Sequence, residues 1–351
     1  MGISTTVAAR GGGVAQTGSA RRGTAPGWVL LAAALVLLAC VASLAFGARP
    51  LSWATLVEAW TDFDPADGDH AVIASRVPRT VIGLLVGAAL GLAGAAMQGV
   101  ARNPLADPGL LGVNAGAALA VVAAMFVLGQ SSLTSLVWFA VLGAGIAAVV
   151  VYAVASLGRE GATPVKLALA GAALSAGLAS LTNGVLVTSQ ETLDAFRFWQ
   201  IGSVAGRSWG DVAPVVPLLA VGAVVTLGTG RALNGLALGD DLARGLGQKV
   251  ALSRAVVALG VVLLCGAATA VAGPIAFVGL VVPHVGRALV GGDYRWVLPL
   301  SGLLGAALLV GADVAGRLVL PPSEVQAGVM TAVLGAPVFL WLVRRSRGVA
   351  L

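Results

Sequence analysis

The chain has 351 residues, 58% of them apolar and only 10% charged, with a net charge of +6 at neutral pH. Soluble domains carry about 25% charged residues, so this composition and a mean hydropathy of +0.96 argue against a water-soluble enzyme. The basic residues fall at the ends of apolar runs rather than in one stripe. Nucleic acid is therefore not the expected partner, and the fold class expected is all-α, a polytopic membrane protein.

Residues 1–26, rich in Gly, Ala, Thr and Arg, are expected to form a disordered cytoplasmic tail ahead of one transmembrane domain over 27–347. Arg21-Arg22 before the apolar run Trp28–Phe46, with Leu37-Leu38-Ala39-Cys40 inside it, is similar to a twin-arginine or lipoprotein signal. An uncleaved first span is the preferred reading, because the rest of the chain is equally apolar. At about 20 residues per span, ten segments are predicted: 28–47, 78–100, 109–129, 133–156, 164–188, 211–230, 254–272, 276–291, 296–316 and 324–343. Gly273-Pro274 and Pro283 are expected to break spans, which lipid tolerates only if neighbours satisfy the freed backbone groups.

The distribution of Lys and Arg orients the chain. With the N-terminus inside, the inner ends hold Arg10, Arg21, Arg22, Arg102, Arg159, Lys166, Arg231, Arg244, Lys249, Arg254, Arg287, Arg295, Arg344, Arg345 and Arg347. The outer ends hold only Arg49, Arg76, Arg79, Arg197, Arg207 and Arg317, alongside the acidic run Asp62, Asp64, Asp67 and Asp69. Both termini are thus expected in the cytoplasm.

In the second segment Gly83, Gly87, Gly91, Ala95 and Gly99 share one helical face, a stripe expected to pack closely inside the chain rather than to form a dimer face. Arg76-Val77-Pro78-Arg79 is read as opening that helix, with the proline in its first turn. Its arginines are either interfacial anchors or an external docking site for carboxylates, whose two oxygens match the guanidinium fork. Arg102 to Gly109 holds two prolines in five residues and forms a polar, non-helical bend. It is either a turn or a constriction lining a path, the second being favoured.

Leu236 to Arg254 is the longest polar stretch on the inner side after the tail. Asp240 is expected to cap a short helix and to pair with Arg244 four residues on. Leu242 and Leu246 share a face, which suggests a docking knob for another protein, the alternative being a helix lying on the lipid surface. Asp313 and Arg317 are expected to pair at the outer end of the ninth segment. An ionisable group inside a span is a functional candidate by default. Ser323-Glu324-Val325-Gln326 reads as a capping box.

Several motifs are absent from the sequence. There is no GxxxxGK[ST] phosphate loop, no HExxH and no GxSxG. Two cysteines, Cys40 and Cys265, and two histidines, His70 and His284, offer no metal or disulfide framework.

The strings RVPRTVIGLLVGAALGLAGAAMQGVARNPLADPGLLGVNAG (Arg76–Gly116), LALGDDLARGLGQKV, GPIAFVGLVVPHVGR (Gly273–Arg287) and GAPVFLWLVRR (Gly335–Arg345) carry a resemblance. Over about residues 28 to 347 the sequence resembles the permease subunits of type II ABC importers for iron-siderophores, haem and cobalamin. The resemblance implies ten helices in the cell membrane, a second permease subunit (the same chain or another), two cytoplasmic ATPase subunits and an external substrate-binding protein. It implies no cofactor on this chain, ATP being used by the partner, and no covalent chemistry. It places ATPase coupling at Leu238, Gly239, Asp240, Ala243, Leu246 and Gly247, binding-protein docking at Arg76, Arg79 and Arg317, and a cytoplasmic gate at Asn103, Leu105, Thr163 and Pro164. Pro164 stands where the family can carry a small polar residue. The fifth and tenth segments are expected to line the path. An iron-siderophore importer is the leading reading, with haem or cobalamin import and an ion-coupled secondary transporter centred on Asp313 as alternatives.

Overall fold

The structure, a computed structural model, describes residues 24–347 apart from 48, 50, 130–131 and 158–161. Most of the predicted tail, with Arg10, Arg21, Arg22 and also Arg159, lies outside the described residues. The described residues form helices and loops alone: α1 Ala25–Ala45, α2 Trp53–Thr61, α3 Gly68–Ala101, a 3₁₀ turn Pro108–Leu111, α4 Val113–Leu128, α5 Leu133–Ala155, α6 Pro164–Thr188 and α7 Gln190–Gln200. There follow α8 Trp209–Val212, α9 Val216–Gly228, α10 Gly230–Ala237, α11 Asp240–Gly245, α12 Val250–Ala272, α13 Val278–Val290, α14 Tyr294–Val319 and α15 Ala327–Arg347.

By length and composition, six of these can cross a bilayer: α1, α3, α5, α6, α12 and α14. The pair α9–α10 passes the same test jointly but is bent by 47°. The shorter apolar helices α4, α13 and α15 account for the remaining predicted segments. The chain is a multi-pass membrane protein, and the ten segments correspond to these elements with two corrections of shape. The sixth is bent, not straight. The eighth is only 13 residues long, about 20 Å at 1.5 Å per residue, and is reached through the non-helical stretch 273–277.

The core is α3 crossing α14, and glycine sets their separation. A Cβ added at Gly83 would meet Val310, one at Gly87 would lie 2.8 Å from Ala306 Cα, and one at Gly91 would strike the Ser301 carbonyl. The small-residue stripe therefore packs within the chain, as expected. Gly94 seats α13 through Gly279 in the same way.

Two prolines behave differently from the sequence reading. Pro78 lies inside α3 rather than in its first turn, because the helix begins ten residues earlier, where Asp67 accepts the Asp69 N–H and caps it. Pro283 lies within α13 and does not break it. The carbonyl its missing N–H would have paired, that of Gly279, instead accepts from Gln98 Nε2 at 3.1 Å. The break does occur at Gly273-Pro274, where Gly273 has φ +73°.

Candidate functional site

At the end of the bundle expected to face the cytoplasm, the chain leaves α10 and turns at Gly239, whose φ of +104° favours glycine. Gly239, not Asp240, is the residue before α11. The six-residue helix buries Ala243 and exposes Leu242, and Leu246 just past its end is 73% accessible, with Leu238 exposed beside them. Gly247 at φ +79° ends the element. Gln248 ties it down by donating to the Ala232 carbonyl of α10 and to Ser253 of α12. An apolar knob is thus held on a rigid base beyond the ends of the spans.

Asp240 faces the other way. Its predicted partner Arg244 pairs with it at 3.8 Å and bonds Asp241 more closely, at 2.9 Å. The Asp240 carboxylate accepts from Arg102 at 3.0 Å and from Arg254 at 2.9 Å. Arg254, at the start of α12 and 5% accessible, also donates to the Ala162 carbonyl at 3.0 Å.

The gate candidates flank these contacts. Arg102 ends α3 in the left-handed conformation, φ +50°. Asn103 Oδ1 accepts the Leu105 N–H at 2.9 Å, a local turn that presents Leu105 outward. Asp107 caps the 3₁₀ turn through Gly109. Thr163 caps α6 through Lys166 N, and Pro164 occupies its first position. Gly171 of α6 lies against the Leu110 carbonyl, so the 3₁₀ turn rests on α6. The Asn103–Leu105 and Thr163–Pro164 segments are joined through Arg102, Asp240, Arg254 and Ala162.

The outer arginines have partners within the chain. Arg76 is buried and donates to the carbonyls of Leu44, Ala45 and Arg49. Arg79 embraces Asp313 with Nε and Nη2 at 2.8–3.2 Å and reaches Glu324 at 2.8 Å. Arg317, 1% accessible, pairs with Asp313 at 3.2 Å and donates to Ser43 and to the Phe46 carbonyl. The Asp313–Arg317 pair was legible from its spacing, and the stronger Arg79 contact was not. Glu324 corrects the capping-box reading: α15 begins at Ala327, and the carboxylate is drawn to Arg79. A cavity of about 570 Å³ lies above this cluster, lined by Arg49, Arg76, Arg79, Arg207, Trp209 and Glu324. Burial lowers the Arg207 guanidinium pKa in the loop at its edge.

A second cavity of about 550 Å³ is bounded by Phe126, Phe198, Trp199 and Arg207. A smaller one of about 310 Å³ lies between α4 and α6, lined by Asn114, Thr182, Asn183 and Gln200. The helix α6 is unusual for its surroundings. It is as little buried as α1 (17% of its apolar window), yet its mean hydropathy is 1.5 against 2.6. Ser180 and Asn183 on it are exposed. Among the described residues no group of His, Cys, Asp and Glu could hold a metal ion.

Comparison with known proteins agrees with this architecture. The sequence profile of the FecCD transport family matches residues 35–345. YfiZ of Bacillus subtilis, a probable siderophore transport system permease protein, is 46% identical over 321 residues, 91% of this chain and 96% of the relative. The ferric enterobactin transport system permease protein FepD of Escherichia coli is 44% identical over 321 residues, 91% and 94% of the two chains. Among solved structures, an inward-facing metal-chelate type ABC transporter superposes with a TM-score of 0.79 at 29% identity, over 91% of this chain and 99% of that one.

Proposed function

Because the chain belongs to the FecCD transport family, we propose that it is the permease subunit of an ATP-driven importer for iron(III)-siderophore complexes. The named substrates of its relatives, siderophores and ferric enterobactin, support that substrate class. The observation that carries the reading is the inner knob. Leu238, Leu242 and Leu246 are exposed on a braced element beyond the spans, and such an apolar patch fits a protein partner. That partner is a pair of cytoplasmic ATPase subunits, which hydrolyse the ATP. This chain holds no cofactor and performs no covalent step, and both its termini lie in the cytoplasm.

The second permease subunit is supported by α6. A helix exposed on the single chain, the least apolar of the six spans and bearing the exposed Ser180 and Asn183, fits water or protein better than lipid. Two copies of α6, or one from each of two related chains, would face each other across the path. ATP binding draws the ATPases together and shifts the knobs. The segments at Asn103–Leu105 and Thr163–Pro164 then move with them, and the path opens alternately to either side. An external binding protein delivers the chelate at the rim of the outer cavity, where Trp209 is exposed. There Arg76, Arg79 and Arg317 hold the outer ends of α1, α3 and α14 in place for docking. An ion-coupled transporter centred on Asp313 is disfavoured, because that carboxylate is already paired with two arginines. No observation favours haem or cobalamin.

The test is uptake of ⁵⁵Fe-siderophore into proteoliposomes holding this chain with its ATPase and binding protein, with haem and cobalamin as competitors. Uptake requiring both partners and internal ATP is expected. Uptake by the chain alone, driven by an ion gradient, would overturn the reading.

A further inference from the structure

The coupling segment presents two faces with different chemistry. Its leucines point away from the membrane domain, whereas Asp240 turns back into it. We propose that Asp240 is a positioning residue that transmits movement of the knob to both gate segments through two guanidiniums. The proposal rests on the importer reading above and adds to it the side chains that carry the motion.

The geometry supplies a short connection on each side. One oxygen, Asp240 Oδ1, accepts from Arg102 Nη2 and from Arg254 Nη2, at 3.0 and 2.9 Å. Arg102 directly precedes Asn103, and its left-handed backbone fixes where the chain leaves α3. Arg254 uses its other terminal nitrogen on the carbonyl of Ala162, the residue before Thr163 and Pro164. A displacement of α11 therefore pulls on the foot of α3 and on the foot of α6 together. Asp240 and Leu242 belong to the same short helix, so the carboxylate moves with the knob, and Gln248 just after it holds the element against α10 and α12.

The two arms differ in strength. The Arg254 side chain is 6% accessible, that of Arg102 36%. Water and salt screen the exposed arm more than the buried one. Arg254 is thus the dominant link and Arg102 the weaker one. The arrangement also accounts for the longer, 3.8 Å reach of Arg244 to the other oxygen, Asp240 Oδ2, since Oδ1 is held by two donors on the membrane side.

The experiment measures ATP hydrolysed per chelate imported, in proteoliposomes containing the complete importer. Asp240→Asn keeps the shape and removes the charge that both guanidiniums share. Charge-assisted hydrogen bonds are the strong ones, and loss of such a link is expected to raise the ratio by about tenfold. Asp240→Glu, which restores the charge, should return it to within about twofold of the parent. Arg254→Gln should raise the ratio more than Arg102→Gln. Adding Arg254→Gln to Asp240→Asn should change little further, since groups in one network are not additive. The ATPase should still co-purify with Asp240→Asn. A parental ratio in Asp240→Asn, or fully additive effects of the Asp240 and Arg254 changes, would overturn the proposal. If Asp240→Asn does not fold, Arg102→Gln and Arg254→Gln together carry the test, and an unchanged ratio in both overturns it. A parent importer that shows no ATP-dependent uptake sinks the functional reading itself, an outcome distinct from a normal parent with a normally coupled variant.

Discussion

Replacing Asp313 with asparagine would remove the charge that the buried Arg317 and the part-buried Arg79 share. Asp313 takes three hydrogen bonds from Arg79 and an ion pair from Arg317, with only 4% of its side chain accessible. Removing one partner from a buried ion pair costs about 3–5 kcal/mol, because the other charge is left uncompensated. Arg317 would keep the Ser43 carbonyl and hydroxyl and the Phe46 carbonyl, and Arg79 would keep Glu324. The cost should therefore sit at the low end, about 3 kcal/mol. At about 2–4 °C per kcal/mol for a large chain, the thermal midpoint should fall by about 6–12 °C. Fluorescence-detected size-exclusion after heating, in detergent or nanodiscs, reads this directly. The control is Asp194→Asn. Its pair with Arg197 spans one turn at 3.2 Å with both side chains more than half exposed, and such pairs contribute under about 1 kcal/mol. If the two variants melt alike, the outer cluster does not hold α3 and α14 together as argued.

Two further outcomes are expected. Gly91→Ala should lower the thermal midpoint, because its Cβ meets the Ser301 backbone and overpacking costs about 1–3 kcal/mol; Gly177→Ala, where nothing lies within 4 Å, should leave it unchanged, and equal shifts would refute the close α3–α14 contact. Leu246→Asp should abolish co-purification of the ATPase while the chain elutes normally, and a retained complex would remove the knob from the interface.

The apolar segments were legible because a bilayer demands long uninterrupted runs. Local spacing also predicted the glycine stripe, the break at Gly273-Pro274 and the Asp313–Arg317 pair. What failed were judgements where a distant residue outbid a near one. The box read at Ser323 and Gln326 does not form because the helix begins later, at Ala327, and Glu324 between them is held by Arg79, remote in sequence. Asp240 does pair with Arg244 at helical spacing, at 3.8 Å, but its closer partners are Arg102 and Arg254, which converge on it from two other elements. Pro283 reads as a helix breaker until Gln98 satisfies the carbonyl it frees. Pro78 misled for a simpler reason: the polar residues before it form a capped helical extension, and hydropathy sees only the part that enters lipid. For the first three the missing information was which elements lie side by side; for Pro78 it was where the helix begins.

The character of α6 has a consequence for the life of the chain in a cell. A copy newly inserted without its partner would show Ser180 and Asn183 to acyl chains that offer them no hydrogen bonds. Such an orphan is a poor tenant of the bilayer and a natural target for membrane quality control. Where the proposed second permease subunit is a different chain, the steady-state amount would follow the supply of that chain rather than the rate of synthesis of this one. Stoichiometry would be enforced by the solvent, through a helix that becomes comfortable only once the assembly is complete.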